Sequence, residues 1–217
     1  SGMRWYPIRI CRSMRRNGSL SVNSRTGKTR RINAVKQLAA AVFLDRDGVI
    51  NQPIVVDNRP YPPKSVQEFV LLPRVCEALV TLKQAGYFLS VVTNQPDVGR
   101  GTVDQAAVEA IHAHMYEILP LDDIRVCYDD GRQVDSQHRK PNPGMLLDAA
   151  AQFSLDLPAS FMIGDRWRDV EAGLNAGCKT IFIDYQYGES LLRAPDYTVT
   201  NLWEAAMLIL KLKNSEQ

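Results

Sequence analysis

The chain has 217 residues, 45% of them hydrophobic and 23% charged, with a formal net charge of +2, the balance of an ordinary globular protein rather than a fibrous or disordered one. No apolar stretch approaches the roughly 18 residues that would mark a membrane span. Cys11, Cys76, Cys127 and Cys178 are far apart with no CxxC pair, which excludes a disulfide scaffold or a compact thiolate metal motif and points to a reduced cytoplasm.

The even charge hides an asymmetry. Residues 1–36 carry 10 of the 26 Lys and Arg, and the first acidic residue is Asp45. Residues 37–217 hold 16 basic against 24 acidic residues, a net of −8. Ser1-Gly2 ahead of Met3 reads as an expression remnant. Residues 1–38 are expected to be a flexible basic extension, since they are rich in Ser, Asn and Gly and show no sustained apolar period. A tether to nucleic acid, an anionic membrane or an acidic partner through residues 4–36 is the functional reading, and a solvated arm without a role is the plainer one. Gly27-Lys28-Thr29 ends like a phosphate-binding loop, but Val22 stands where its first glycine belongs and no apolar strand precedes it, so that motif is rejected.

The core begins with Ala39 to Leu44, an uninterrupted apolar run of the kind buried on both faces of a parallel sheet. Asp45 and Asp47 follow immediately. Two carboxylates at such a tip need something to offset desolvation and mutual repulsion, either a divalent cation or a proton held by one of them. Residues 49–68 contain Pro53, Pro60, Pro62 and Pro63, too many for a central strand, and predict a flap over the strand tip. Val75, Leu79 and Leu82 mark a helix face closed by Gly86, and Tyr87 to Val92 a second strand. Thr102 and Gln105 pair as a capping box for a helix that buries Val108, Ile111, Met115 and Ile118. On that helix His112 and His114 lie on nearly opposite faces, which places them at the surface or its boundary and forbids a shared metal.

Ile124 to Tyr128 predicts a third strand. Asn142 with Pro143 opens another helix, Ser160 to Ile163 forms a fourth strand, and Trp167 to Ala176 a helix ended by Gly177. Thr180 to Ile183 is the fifth strand, and Asn201 with Glu204 caps a final helix. This alternation implies right-handed crossovers and a doubly wound, Rossmann-like parallel α/β sheet spanning 39–217, whose ligands bind at the carboxyl ends of the strands.

Four polar clusters fall at those ends. Asp45-x-Asp47-Gly48 suits an aspartyl nucleophile assisted by magnesium. Thr93-Asn94-Gln95 offers neutral donors to phosphoryl oxygens. Arg139-Lys140-Pro141 places a cation ahead of a helix N-terminus, where it can neutralise nucleophile and phosphate together. Gly164-Asp165 can complete an oxygen-rich cation site, and Asp169 is either a supporting carboxylate or an acid favoured by the helix dipole.

In this order the clusters resemble the haloacid dehalogenase-like hydrolase superfamily over roughly residues 40–185. The wording DRDGVIN, TNQPDVGRG, RKPNPGM and GDRWRDVEAG is similar to the branch of heptose-bisphosphate and histidinol-phosphate phosphatases, which lacks a large cap domain. The resemblance implies a magnesium-dependent phosphatase of small phosphorylated metabolites, a sugar phosphate above all. Asp45 is then the nucleophile and Asp47 the acid and base, protonated when substrate binds and also holding metal through its carbonyl. Thr93, Asn94, Arg139 and Lys140 hold phosphate, Asp165 ligates the metal, and Asp169 supports it.

The branch also commonly carries a zinc loop, Cys-x-His followed by Cys-x-Cys ahead of Arg-Lys-Pro. Here the corresponding residues are Cys127-Tyr128-Asp129 and Ser136-Gln137-His138. A mixed site from Cys127, Asp129, His138 and Asp135 would offer only two of the ligands zinc favours, so zinc is not expected. Two further readings remain open. One is a polynucleotide 3′-end phosphatase using the basic arm, since such enzymes also use a Thr-Asn-Gln cluster; the other is a non-catalytic binding protein on the same scaffold.

Overall fold

The computed structural model describes residues 38–56, 59–132, 136–186 and 188–215. The basic arm therefore lies outside the described residues, apart from Leu38. Strand β1 (Ala41–Leu44) is buried along its whole length. Its side chains alternate between two cores, Val42 and Leu44 facing one and Ala41 and Phe43 the other. This is why the run is apolar without a break, since both faces of a central parallel strand are covered.

After β1 the chain forms a hairpin, β2 (Ile54–Val56) against β3 (Arg59–Tyr61), then helix α1 (Val75–Gln84) and strand β4 (Phe88–Asn94). A short helix α2 (Pro96–Gly99) leads to α3 (Gln105–Ile118) and β5 (Asp123–Cys127). Then come α4 (Gly144–Phe153), β6 (Phe161–Gly164), α5 (Trp167–Ala176), β7 (Lys179–Ile183), β8 (Tyr197–Val199) and α6 (Leu202–Ser215). The main sheet runs β5-β4-β1-β6-β7-β8, with each neighbouring pair parallel. Residues of α1, α3 and α6 pack in one core and those of α4 and α5 in the other. The doubly wound fold expected from the alternation is the fold observed.

Chain order reverses at β1. The chain builds outward through β4 to β5, then crosses back to lay β6 on the opposite edge of β1. Such a switch point opens a crevice at the strands' carboxyl ends. No helix among the described residues is long and apolar enough to cross a membrane.

Several boundaries differ from the sequence expectations for physical reasons. Helix α3 is capped by Asp104, whose carboxylate accepts the Ala106 N–H at 3.0 Å. Thr102 is not the cap; its hydroxyl donates to the Asp97 carbonyl at 3.1 Å. Helix α4 begins one residue later than expected, with Pro143 in the capping position, because the Asn142 amide donates to the Ser136 carbonyl at 2.9 Å. The proline-rich flap contains the hairpin β2–β3, and β8 adds a sixth strand to the five expected. Both are three-residue strands, too short to show a period of their own.

Candidate active site

The crevice at the switch point is a cavity of about 330 Å³, and its wall includes Asp45, Asp47, Thr93, Asn94, Arg139, Lys140, Asp165 and Asp169. All eight residues singled out from the sequence are thus gathered around one space. Strand termini put them there. Asp45 follows β1, its N–H donating to the Ile163 carbonyl of β6 at 2.9 Å. Thr93 and Asn94 end β4, and Asp165 follows β6. Pro53, Tyr61 and Pro62 of the flap close one side.

Lys140 is the electrostatic centre. It is 2% exposed, and its Nζ donates to Asp45 Oδ1 at 2.8 Å and pairs with Asp169 Oδ1 at 2.6 Å. Burial works against the ammonium, but the Asp169 and Asp45 carboxylates outweigh it and hold its pKa above the usual lysine value. Asp169 does two jobs, since its Oδ2 also accepts the Arg166 N–H at 3.1 Å at the start of α5. Gly164 permits that approach: a Cβ there would overlap the Asp169 side chain.

The remaining carboxylates are under-neutralised. Burial raises the pKa of Asp45 to about 6 despite the pull of Lys140, with the Asp169 and Asp47 charges adding to the rise. Burial, then the charges of Asp45 and Asp169, raise that of Asp165 to about 8. Carboxylate oxygens of Asp45, Asp165 and Asp169 lie within 4.8 Å of one another, and Asp165 Oδ1 is buried without a hydrogen-bond partner. Gly48, at φ +87°, leaves the space above that carboxylate open, where a Cβ would collide with it. An all-oxygen, strongly anionic pocket with an unsatisfied ligand atom fits a hard divalent cation. Asp169 lies in this acidic group while its Oδ1 also pairs with Lys140.

The Asp47 carboxylate is held by a separate set of donors. Its oxygens accept from Arg46 Nη2 at 2.8 and 3.1 Å, from Arg46 Nε at 3.2 Å, from Asn51 Nδ2 at 2.9 Å and from Gln95 Nε2 at 2.8 Å. Thr93 is 1% exposed, and its hydroxyl oxygen accepts from Gln95 at 2.9 Å. Asn94 is engaged on both sides of its amide, donating to the Lys140 carbonyl at 3.0 Å and accepting the Lys140 N–H at 3.1 Å. It lines the cavity but grips the lysine backbone.

Two contributors were missed. Arg46 is fully buried, although a charged residue between two aspartates at a strand tip reads as exposed. His112 corrects a sequence expectation outright: it is buried at 7% exposure, with Nε2 3.3 Å from Arg46 Nη1. The signal was present, since Val108, Ile111, His112 and Met115 form an i, i+3, i+4, i+7 stripe, and all four are buried.

The described residues on either side of 133–135 are held by hydrogen bonds. The Gly131 N–H, at 2.8 Å, and then the Ser136 hydroxyl hold the Asp129 carboxyl below its ordinary pKa, and Arg139 donates to the Asp129 carbonyl. Cys127 Sγ faces Ser136 Oγ at 3.9 Å, whereas the His138 ring pairs with Asp148 at 2.8 Å. Asp135 lies outside the described residues. Among the described residues, the acidic triad is the sole His, Cys, Asp or Glu group able to hold an ion.

The chain is similar to known proteins. A family model described as HAD-hydrolase-like matches residues 137–205. The D-glycero-beta-D-manno-heptose-1,7-bisphosphate 7-phosphatase of Rhodopseudomonas palustris is 38% identical over 148 residues, covering 63% of this chain and 79% of that protein. The D-glycero-D-manno-heptose-1,7-bisphosphate 7-phosphatase of Thermosynechococcus vestitus is 33% identical over 184 residues, 75% and 91% of the two chains. The crystal structure of D,D-heptose 1,7-bisphosphate phosphatase from B. bronchiseptica, complexed with magnesium and phosphate, superposes with a TM-score of 0.69 at 30% identity. That match covers 80% of this chain and 99% of the other.

Proposed function

The chain belongs to the haloacid dehalogenase-like hydrolases, in the branch of the heptose-bisphosphate phosphatases, and from that premise we propose that it hydrolyses a sugar phosphate monoester, a heptose bisphosphate first among the candidates, through an aspartyl-phosphate on Asp45. The observation that carries this reading is the buried Asp45–Lys140–Asp169 web at the switch point, facing a cavity large enough for a phosphorylated sugar.

In this reading the Asp45 carboxylate attacks phosphorus in line and forms the acyl phosphate. Lys140 keeps Asp45 anionic against its burial and balances the phosphoryl charge. Asp47 gives a proton to the departing alkoxide and later takes one from the water that cleaves the intermediate. The Thr93 hydroxyl donates to a phosphoryl oxygen. Asn94 serves chiefly by fixing Lys140.

Magnesium would suit this pocket: Asp45 and Asp165 with the Asp47 carbonyl would hold it, and Asp169 would brace the set from Lys140. A bound magnesium ion supplies neutralisation of the phosphoryl oxygens and of the crowded carboxylates.

Cavity charge favours a substrate with a second anionic group. Arg100 pairs with Asp97 and Arg166 with Glu189. Arg139 and Arg168 also line the cavity but have no ion-pair partner among the described residues. Burial, followed by the charges of Arg139 and Arg166, pulls the pKa of Arg168 down, as expected for cations crowded together to receive an anion. A cytoplasmic, reducing setting agrees with the free, buried thiols of Cys127 and Cys178.

The test is a screen of phosphate release from heptose 1,7-bisphosphate, hexose phosphates, histidinol phosphate and a 3′-phosphorylated oligonucleotide, with magnesium present. Preference for the sugar phosphates supports the proposal. Preference for the oligonucleotide, or no turnover of any ester, overturns it.

A further inference from the structure

Arg46 and His112 have no place in the chemistry just described, yet both are buried against Asp47 or its partner. Arg46 has no solvent exposure, and three of its donor contacts go to the neighbouring carboxylate of Asp47. That leaves Nη1, and its neighbour is His112 Nε2 at 3.3 Å. A guanidinium has no acceptor atom, so Nε2 must accept and the ring proton must sit on Nδ1. His112 is thus a neutral acceptor. Burial, then the Arg46 charge, keep it so by lowering its pKa to about 4.

We infer that His112 is a positioning residue: through Arg46 it fixes where the Asp47 carboxyl stands relative to the leaving oxygen. The inference rests on the reading of Asp47 as the proton donor. Asp47 is also held by Asn51 and Gln95, but these are neutral donors, one to each oxygen. The guanidinium engages both oxygens at once and so sets the plane of the carboxyl. A guanidinium fixed only on its Asp47 side would still be free to tilt about that contact. The bond from Nη1 to a histidine anchored in α3 removes the tilt. Without it the buried Nη1 must find another acceptor, and Asp47 moves with the group that holds it. Proton transfer needs hydrogen-bond reach of the reacting oxygen, and a misplacement of about 1 Å can cost on the order of 10²-fold in rate.

A core role and a positioning role separate by leaving group. An alkoxide must be protonated as it departs, whereas p-nitrophenolate leaves without help. The parameter kcat/KM reports only the steps through departure of the leaving group, because the subsequent hydrolysis of the acyl phosphate does not enter it. The experiment measures kcat/KM for wild type, His112→Leu and His112→Gln on heptose 1,7-bisphosphate and on p-nitrophenyl phosphate, with magnesium, normalised to folded protein.

The expected result is that His112→Leu loses at least tenfold on the sugar phosphate and less than threefold on the aryl ester. His112→Gln, whose amide oxygen can reach the place of Nε2, stays within threefold of wild type on both. If His112→Leu does not fold, His112→Met makes the same comparison with a more flexible side chain. Equal losses on both esters, or no loss on the sugar phosphate, overturn the inference and leave the phosphatase reading standing. Wild-type protein inert toward both esters overturns the phosphatase reading beneath it.

Discussion

Replacing Lys140 by Met removes the cation that lies between Asp45 and Asp169. The side chain is 3% exposed, against 12% for Asp45 and 2% for Asp169, so solvent screens these charges little. Removing one partner of a buried ion pair typically costs about 3–5 kcal/mol, because the other charge is left uncompensated. For a chain of this length that amounts to roughly 6–20 °C in Tm. The loss should depend on pH, and the sign follows from the carboxyls. Asp45 and Asp165 have folded-state pKa values raised to about 6 and about 8, so the fold binds their protons more tightly than the unfolded chain does. Metal-free stability therefore falls as pH rises from the unfolded values near 4 through 6 and 8. Lys140 is raised above its unfolded value, so its own contribution is complete throughout that window and fades only at much higher pH. Without Lys140 the two carboxyls have less to offset their ionisation, and the decline steepens. Urea unfolding in chelator-treated buffer at pH 5 and pH 8 measures this directly. The destabilisation should be larger at pH 8 and should shrink when magnesium is added. A loss under about 1 kcal/mol at pH 8, or the same loss at both pH values, would refute the account of Lys140 as the charge that holds the site together.

Asp45→Asn should abolish turnover with Tm unchanged or raised, since the amide keeps the shape but removes both the nucleophile and a buried charge. Phosphate-monoester hydrolysis without a catalyst is slow enough that enzymes supply up to ~10²¹-fold, so activity within tenfold of wild type would sink the covalent mechanism. EDTA should extinguish activity and magnesium restore it, as read by phosphate release; full turnover in metal-free buffer would mean that the acidic triad has another purpose. Deleting residues 3–36 should leave kcat and KM on small esters within twofold, because that stretch precedes the first core strand and its sequence offers no apolar face. A sharp fall in kcat would make it part of the site.

The site was legible in the sequence because of how parallel sheets bury their strands. An apolar run without alternation, such as Ala41–Leu44, leaves its first polar residue at the strand tip, and the topology then brings the tips together. What could not be read are contacts between residues far apart in the chain. Asn94 and Lys140 are 46 positions apart, and nothing in a Thr-Asn pair says whether its amide serves a substrate or a loop. Arg46 between Asp45 and Asp47 looks like a solvated charge until the turn folds its guanidinium back onto its neighbour. His112 failed for a different reason. Its helical stripe was visible, but the residue type argued for the surface, and the buried partner that reverses that argument lies 66 positions away. The flap's hairpin was hidden by its prolines: Pro60 sits within β3, in a two-stranded ribbon where every strand is an edge.

The double grip of Asn94 on the Lys140 backbone has a consequence for the timing of entropy loss. A lysine side chain usually retains rotamer freedom of about 1.5–2 kcal/mol, and a site that relies on one must immobilise it whenever a ligand binds. Here the chain is clamped at its root by an amide and at its tip by two carboxylates. The disorder is surrendered once, as the protein folds, and the ammonium already stands in place when each substrate arrives.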